Sequence, residues 1–257
     1  MSAWPAAGLA LALALVGYGA GWLSPDGVVA ATLVGAGVFA GCGLSGAAPL
    51  GLFFVSGSLL TAANHRAGLN WSEPRGPRRG ARQVLANGLW AAAGAGLVRW
   101  NAEAGWALLT GSLATAQADT WSTEFGAWAR TSPRLISTWA PVPRGTSGGV
   151  TGVGTLGGLA GGLALAGVGA LAGAPLRAAA AGLVGGLAGM LIDSVLGATL
   201  QRQARCETCG EITEQAVHRC GRPTRLIRGW RRLDNDGVNL LAAGAGGSIA
   251  VMLMSLV

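Results

Sequence analysis

The chain contains no lysine. That absence removes the P-loop lysine of a Walker A site and the amine needed for Schiff-base chemistry. Charge of any kind is scarce. Only 11% of the 257 residues are charged, under half the share usual for a soluble domain. Two histidines, His65 and His218, leave little room for imidazole acid–base catalysis. What fills the chain is apolar and small: 51% hydrophobic residues and 45 glycines. Ala- and Gly-rich apolar runs form closely packed transmembrane helices, because small residues let backbones approach. The sequence therefore predicts an all-α fold, a polytopic integral membrane helical bundle forming a single domain over residues 1–257.

Eight apolar segments have about the length of a span: Trp4–Leu23, Val28–Leu44, Ala47–Ala63, Gln83–Val98, Gly105–Asp119, Val150–Ala172, Ala178–Leu200 and Gly237–Leu256. The second and third are so closely joined that they form a hairpin or one broken pair. The first run lacks the basic flank of a secretory signal, so it reads as the first membrane helix. Trp4 and Trp22 bracket the first span and Trp100 and Trp106 the turn after the fourth, as interfacial aromatics do; Trp90 reads as core.

The net charge of +7 comes from arginine alone. Arg66, Arg75, Arg78, Arg79 and Arg82 precede the fourth span, and Arg130, Arg134 and Arg144 the sixth. Arg202, Arg205, Arg219, Arg222, Arg225, Arg228, Arg231 and Arg232 precede the eighth. Only Arg99 and Arg177 fall in the alternate loops. The positive-inside rule makes the three rich loops cytoplasmic, which puts both the N-terminus and the C-terminus outside. Arginines confined to loops between spans give no reason to expect a nucleic acid partner.

Polar residues gather at the predicted cytoplasmic ends. Asn64 closes the third span, and Gln83 and Asn87 open the fourth on one helical face. Asp119, Thr120, Ser122 and Glu124 follow the fifth. Arg144, Gly145, Thr146, Gly148, Gly149 and Thr151 lead into the sixth. Asp193 and Ser194 lie low in the seventh; Asp234, Asn235, Asp236 and Asn239 open the eighth. Helix capping explains a few of these, but not why the outer ends lack such clusters. A carboxylate inside a span is costly unless it is used. Asp119 and Glu124 are candidate oxygen ligands for a divalent cation, and a Gly-rich loop at a helix start is a candidate anion site. Ala118-Asp119-Thr120-Trp121-Ser122 faintly echoes Ile192-Asp193-Ser194, as if two halves each contributed one acid.

The loop over residues 201–236 holds Cys206, Cys209, His218 and Cys220. Their inventory matches a structural zinc site, with free thiols as the alternative. A disulfide is disfavoured on the reducing cytoplasmic side.

These motifs, in order, resemble one family. Gln83-Val84-Leu85-Ala86-Asn87-Gly88, Ala118-Asp119-Thr120 with Ser122, Glu124 and Gly126, and Val142 to Thr151 carry the first part. Asp193-Ser194-x-Leu196-Gly197-Ala198 with Gln201, and Leu233-Asp234-Asn235-Asp236-x-Val238-Asn239, carry the rest. The family is the integral membrane family that includes transmembrane protein nineteen of animals and the plant phytyl phosphate kinase. It is distantly similar to the CTP-using dolichol and phytol kinases. The resemblance implies a membrane-embedded phosphotransferase that converts an isoprenyl (phytyl, geranylgeranyl or polyprenyl) monophosphate to the diphosphate with a nucleoside triphosphate, CTP foremost. It implies Mg²⁺ held by the catalytic carboxylates Asp119, Glu124 and Asp193. The Gly145–Thr151 loop with Arg144 would cradle the triphosphate. Asn64, Arg82, Gln83, Asn87, Thr120, Ser122, Ser194, Asn235, Asp236 and Asn239 would complete the pocket. Where the family carries lysines after the third span, this chain has Asn64, His65 and Arg66, so arginine must do any phosphate binding there.

The expected partners are the isoprenyl phosphate, the nucleotide and membrane lipids, with a homo-oligomer left open. The expected location is a prokaryotic inner membrane, with the site facing the cytoplasm. Cytidylyl transfer to a lipid phosphate and lipid-phosphate transport are the rival readings.

Overall fold

The computed structural model describes residues 3–69 and 78–256; Arg75 of the first arginine-rich loop lies outside them. The described residues form seven helices: α1 (Ala3–Gly19), α2 (Pro25–Arg66), α3 (Ala81–Leu97), α4 (Ala102–Gly126), α5 (Gly152–Leu171), α6 (Leu176–Thr199) and α7 (Asn235–Ser255). Of these, α2, α5, α6 and α7 are long and apolar enough to cross a membrane; α1 is a shorter apolar helix.

The helix α2 folds back on itself. Gly43 adopts φ 60° and ψ −145°, a conformation that glycine tolerates and that breaks the helical path. A Cβ on Gly27 would strike the Arg79 carbonyl, and one on Gly57 would lie 2.6 Å from Arg79 Nη2. In a straight helix those two glycines would stand about 45 Å apart. The two arms are therefore antiparallel, and they are the second and third apolar segments of the sequence.

The centre of the bundle is α4, which packs on α2, α3, α5, α6 and α7. It is buried without interruption from Leu109 to Ala118. Thr110 Oγ1 donates to Trp106 O at 2.7 Å and Thr115 Oγ1 to Gly111 O at 2.9 Å within the helix, and Thr110 Oγ1 also reaches Ala178 O on α6 at 3.2 Å. A helix that meets protein on every side needs small residues more than apolar ones. A Cβ on Gly111 would sit 2.8 Å from Ala250 Cβ. The outer helices show the reverse pattern, with Leu156, Leu163, Val184 and Leu241 exposed on the bundle surface. Trp4 and Trp100 are also exposed, as expected of interfacial rings. Trp106 is not: it is buried in the core, because α4 enters the bundle within its first turn. The half-exposed Trp90 is tied to α7 through Nε1, which donates to Leu240 O at 3.0 Å.

One end of the bundle collects the polar connections. Ser24 N donates to Arg79 O there at 3.1 Å, so α1 ends and both α2 and α3 begin at this end. A two-stranded pair, β1 (Arg134–Leu135) with β2 (Gly149–Val150), leads from α4 into α5. Between α6 and α7 lies a small antiparallel sheet in the order β4-β3-β5, made of β3 (Gln203–Cys206), β4 (Ile212–Thr213) and β5 (Thr224–Arg228).

Candidate functional site at the polar end of the bundle

Two of the three predicted acids come together. Asp119 on α4 and Asp193 on α6 lie within reach of each other's charge, and Glu214 from the loop between β4 and β5 joins them beside Asp193. The two halves of the weak sequence echo thus each supply one acid to one place. Among the described residues Asp119 makes no hydrogen bond or ion pair. Asp193 is approached by Asn239, whose amide, turned to donate, reaches Asp193 Oδ2 at 3.0 Å and Asn235 O at 3.2 Å. Ser194 is half-buried beside it.

Glu214 carried no signal in the sequence, since it sits in a polar loop where an acid is ordinary. The fold makes it specific. Gln201 Nε2 donates to Glu214 Oε1 at 2.6 Å, Ser147 Oγ donates to the same oxygen at 3.3 Å, and Asn235 N donates to Oε2 at 3.3 Å. Gln201 is buried and also donates to Ser147 Oγ at 3.1 Å. The α4–α5 connection and both ends of the α6–α7 connection thus converge on one carboxylate.

Glu124, the third predicted acid, faces α2. Thr61 Oγ1 donates to its Oε1 at 2.5 Å, and Asn64 Nδ2 donates to its Oε2 at 2.7 Å and its carbonyl at 2.9 Å. Asn64 is buried, and its Oδ1 accepts from Trp128 Nε1 at 2.6 Å. Arg79 lies within reach of the Glu124 charge. That guanidinium lies over Phe53 and Phe54, at 5.2 and 5.6 Å from the ring centroids. Thr120, next to Asp119, packs on Gly57 beside it. Arg79 was counted in the sequence as a loop arginine only; the close packing at Gly57 draws it inward.

The Gly-rich loop is shaped by its glycines, then locked by local bonds. Gly145 and Gly148 have φ of 80° and 79°. Gly148 lies against Ala198 so closely that no Cβ fits. Thr146 N and Oγ1 both engage Pro143 O, Gly149 N donates to Thr146 O at 3.0 Å, and Thr151 caps α5 by accepting from Gly154 N at 3.0 Å. Arg144 donates to the carbonyls of Ala127 and Ala129, tying the loop to the segment after α4. The loop's evident contribution to the carboxylates is Ser147. Ser122 faces α5, with its carbonyl close to Gly154.

On α3, exposed Arg82 pairs with Asp234 at 2.8 Å, and Asp234 also caps α7 by accepting from Gly237 N at 3.1 Å. Asp236 lies in the first turn of that helix. Gln83 and buried Asn87 point elsewhere. Together with Arg79 they are the polar residues of a cleft between α1, the two arms of α2 and α3. Its other walls are apolar, among them Leu23, Val34, Phe39, Leu50 and Phe54. From Leu23 to Phe39 the cleft follows α2 for on the order of 20 Å.

Cys206, Cys209, His218 and Cys220 also meet, with one ligand atom of each lying within 4.8 Å of the others. The N–H groups of Cys209 and Thr208 hold the Cys206 thiol down at about 7.

Fold and site together define a helical membrane protein with a cluster of carboxylates at one end of its bundle. More particularly, the chain belongs to the family described as integral membrane protein DUF92, whose family model matches residues 8–247. It is 30% identical over 236 residues to an uncharacterized membrane protein of Methanocaldococcus jannaschii, covering 90% of this chain and 85% of that one. It is 34% identical over 195 residues to an uncharacterized membrane protein of Synechocystis, covering 70% and 73%. It is also 33% identical to Protein PGR of Arabidopsis thaliana over 146 residues, 52% of this chain and 49% of that protein. The chain thus matches about half the length of Protein PGR. No solved structure matches.

Proposed function

We propose that this protein is a membrane-embedded kinase that phosphorylates an isoprenyl monophosphate from a nucleoside triphosphate, CTP first among candidates. All eight apolar segments cross the membrane in this reading, the arginine-rich polar end faces the cytoplasm, and the membrane is a prokaryotic inner membrane. The observation that carries it is the bare carboxylate of Asp119 beside Asp193 and Glu214, at the end of the bundle where Arg79 heads an apolar cleft.

Paired carboxylates with amide and hydroxyl oxygens form a hard-donor set that suits Mg²⁺. Asp119 and Asp193 would hold it, with Glu214 beside them, and the ion would supply positive charge to the triphosphate. Glu124 has a different task here: its oxygens fix Asn64 and Thr61, and it holds α2 on α4. The isoprenyl tail lies in the apolar cleft. Its phosphate meets Arg79, whose planar fork suits a phosphate and whose charge is desolvated by Phe53 and Phe54. Gln83 and Asn87 offer amides at the same mouth.

A terminal oxygen of the lipid phosphate attacks the γ-phosphorus. A new P–O–P bond forms, the bond from the γ-phosphorus to the β-phosphate oxygen breaks, and the nucleoside diphosphate leaves. The attacking phosphate is already anionic, so no general base is required, in keeping with a pocket without histidine. Positioning and charge carry such a reaction.

The test is product analysis with purified protein in detergent, Mg²⁺, geranylgeranyl or phytyl monophosphate, and CTP, GTP, UTP or ATP in turn. Lipid diphosphate and nucleoside diphosphate are expected together, both lost in Asp119→Asn. Pyrophosphate with a nucleotide-linked lipid would replace the kinase with a cytidylyltransferase. Folded protein that turns over no nucleotide would end both readings and favour lipid-phosphate transport.

A further inference from the structure

The segment between α6 and α7 is about thirty residues of small sheet and turns, too small to hold itself together by apolar burial. Its apolar side chains confirm the shortage: Ile212, Val217, Leu226 and Ile227 are all exposed. What is buried is unusual for a core: Cys206, His218, Thr213 and Ala204, with Gln201 and Arg202 beside the bundle. Small domains of this kind need a staple, and the candidates here are the three thiols and the histidine.

Their geometry fits a tetrahedral metal site. A zinc with Zn–S bonds of about 2.3 Å sets neighbouring ligand atoms about 3.7 Å apart. Cys206 Sγ and Cys220 Sγ are 3.6 Å apart, Cys209 Sγ lies 3.4 Å from His218 Nδ1, and Cys220 Sγ lies 3.1 Å from the same nitrogen. A disulfide between Cys206 and Cys220 would need about 2.05 Å. The backbone delivers the ligands in two matching turns. Gly210 N donates to Cys206 O at 3.0 Å and Gly221 N to His218 O at 2.8 Å, and these glycines have φ of 74° and 78°. Each turn presents two ligands and closes on a glycine that can take the left-handed conformation.

The surroundings complete the pattern. His218 Nε2 lies 3.0 Å from Glu211 Oε2, and Arg219 Nη2 donates to both oxygens of that carboxylate at 2.9 Å. A carboxylate behind the outer nitrogen of a metal-binding histidine fixes its tautomer and leaves Nδ1 as the ligand atom. We infer that Cys206, Cys209, His218 and Cys220 bind one structural Zn²⁺, and that this ion holds Glu214 in place against Ser147, Gln201 and Asn235. Glu214 lies between the two turns, so an ion that joins the turns fixes the β4–β5 loop that carries it. The zinc site stands on its own geometry. Its link to turnover rests on the kinase reading above.

The experiment uses the full chain purified in detergent without added metal. Elemental analysis is expected to find one zinc per chain, and Co²⁺ exchange to give the thiolate-to-cobalt absorption of a tetrahedral sulfur site. Cys209→Ser and Cys220→Ser should each lower the zinc content at least tenfold and free the remaining thiols to a thiol reagent. Wild-type protein that is folded and holds no zinc, or holds iron in its place, would overturn the metal site whatever the activity. The positioning role has a separate readout. Cys220→Ser should lower kcat at least tenfold in the wild-type background and cause no further loss in Glu214→Gln, which itself keeps its zinc. An equal loss in both backgrounds would mean that zinc merely holds the fold and would overturn the link to Glu214. Failure of the kinase reading would appear instead as absent turnover in protein that carries full zinc.

Discussion

Glu124 and Asp119 lie five residues apart on one helix, and their surroundings are opposite. Glu124 has both carboxylate oxygens occupied, by Thr61 and Asn64, and Trp128 supports that asparagine in turn. Asp119 has no partner among the described residues and shares its space with further negative charge. A carboxylate whose two oxygens are both held by donors on a neighbouring helix fits a scaffold role. Acids gathered together in one place carry unfavourable mutual charge, which the Mg²⁺ of the proposed reaction would offset. The sequence presents both residues as acids at the inner end of one span, and only their neighbours separate the two roles.

The comparison can be broken most directly at the bare pair. Asp119→Asn and Asp193→Asn are each expected to lower kcat by about 10³-fold, with a melting temperature equal to or above the parent's, because charge repulsion is relieved. A clear loss of stability in Asp119→Asn, followed by thermal unfolding in detergent, would place Asp119 with the scaffold after all. Glu124→Ala should show the opposite balance. It leaves Asn64 and Thr61 without their acceptor and should cost about 2 kcal/mol of stability, while the remaining folded protein loses roughly tenfold in kcat or less. A Glu124→Ala protein as inactive as Asp119→Asn but equally stable would collapse the distinction.

A smaller effect tests the mouth of the cleft. Arg79→Lys keeps the charge but loses the fork and the stacking on Phe53 and Phe54. We expect KM for the lipid phosphate to rise about tenfold, a loss of about 1.4 kcal/mol in binding, while KM for the nucleotide stays constant. A change confined to the nucleotide KM would assign Arg79 to the other substrate. The smallest effect belongs to Ser147→Ala. It removes one hydroxyl between Gln201 and Glu214, with an expected cost of about 1 kcal/mol and a fall of a few-fold in kcat. No change in either would show that Gln201 and Asn235 hold Glu214 unaided.

Much of the architecture was legible in the sequence. Hydropathy located the apolar segments, and polar residues at alternate ends indicated which end of the bundle collects the polar side chains. The motif order pointed to the family that the comparison with known proteins bears out. The Cys-x-x-Cys and His-x-Cys pairs identified four side chains that the fold does gather. Other features were illegible for specific reasons. Hydropathy treats lipid and protein surroundings alike, so the central place of α4 and the burial of Trp106 did not show. An arginine in a loop reads as solvated, so Arg79 did not stand out from its neighbours. An acid in a polar loop reads as surface, so Glu214 gave no signal until Gln201, Ser147 and Asn235 closed around it.

Taken alone, the sequence determined that this chain is a bundle of apolar helices with its polar residues gathered at one end, because the energy of placing polar groups in lipid depends chiefly on composition and length. The tertiary structure alone decided which acids meet. Contacts between residues far apart in the chain depend on how helix faces turn toward one another, and here that is set by glycines such as Gly57 and Gly111, where backbones approach too closely for any larger residue.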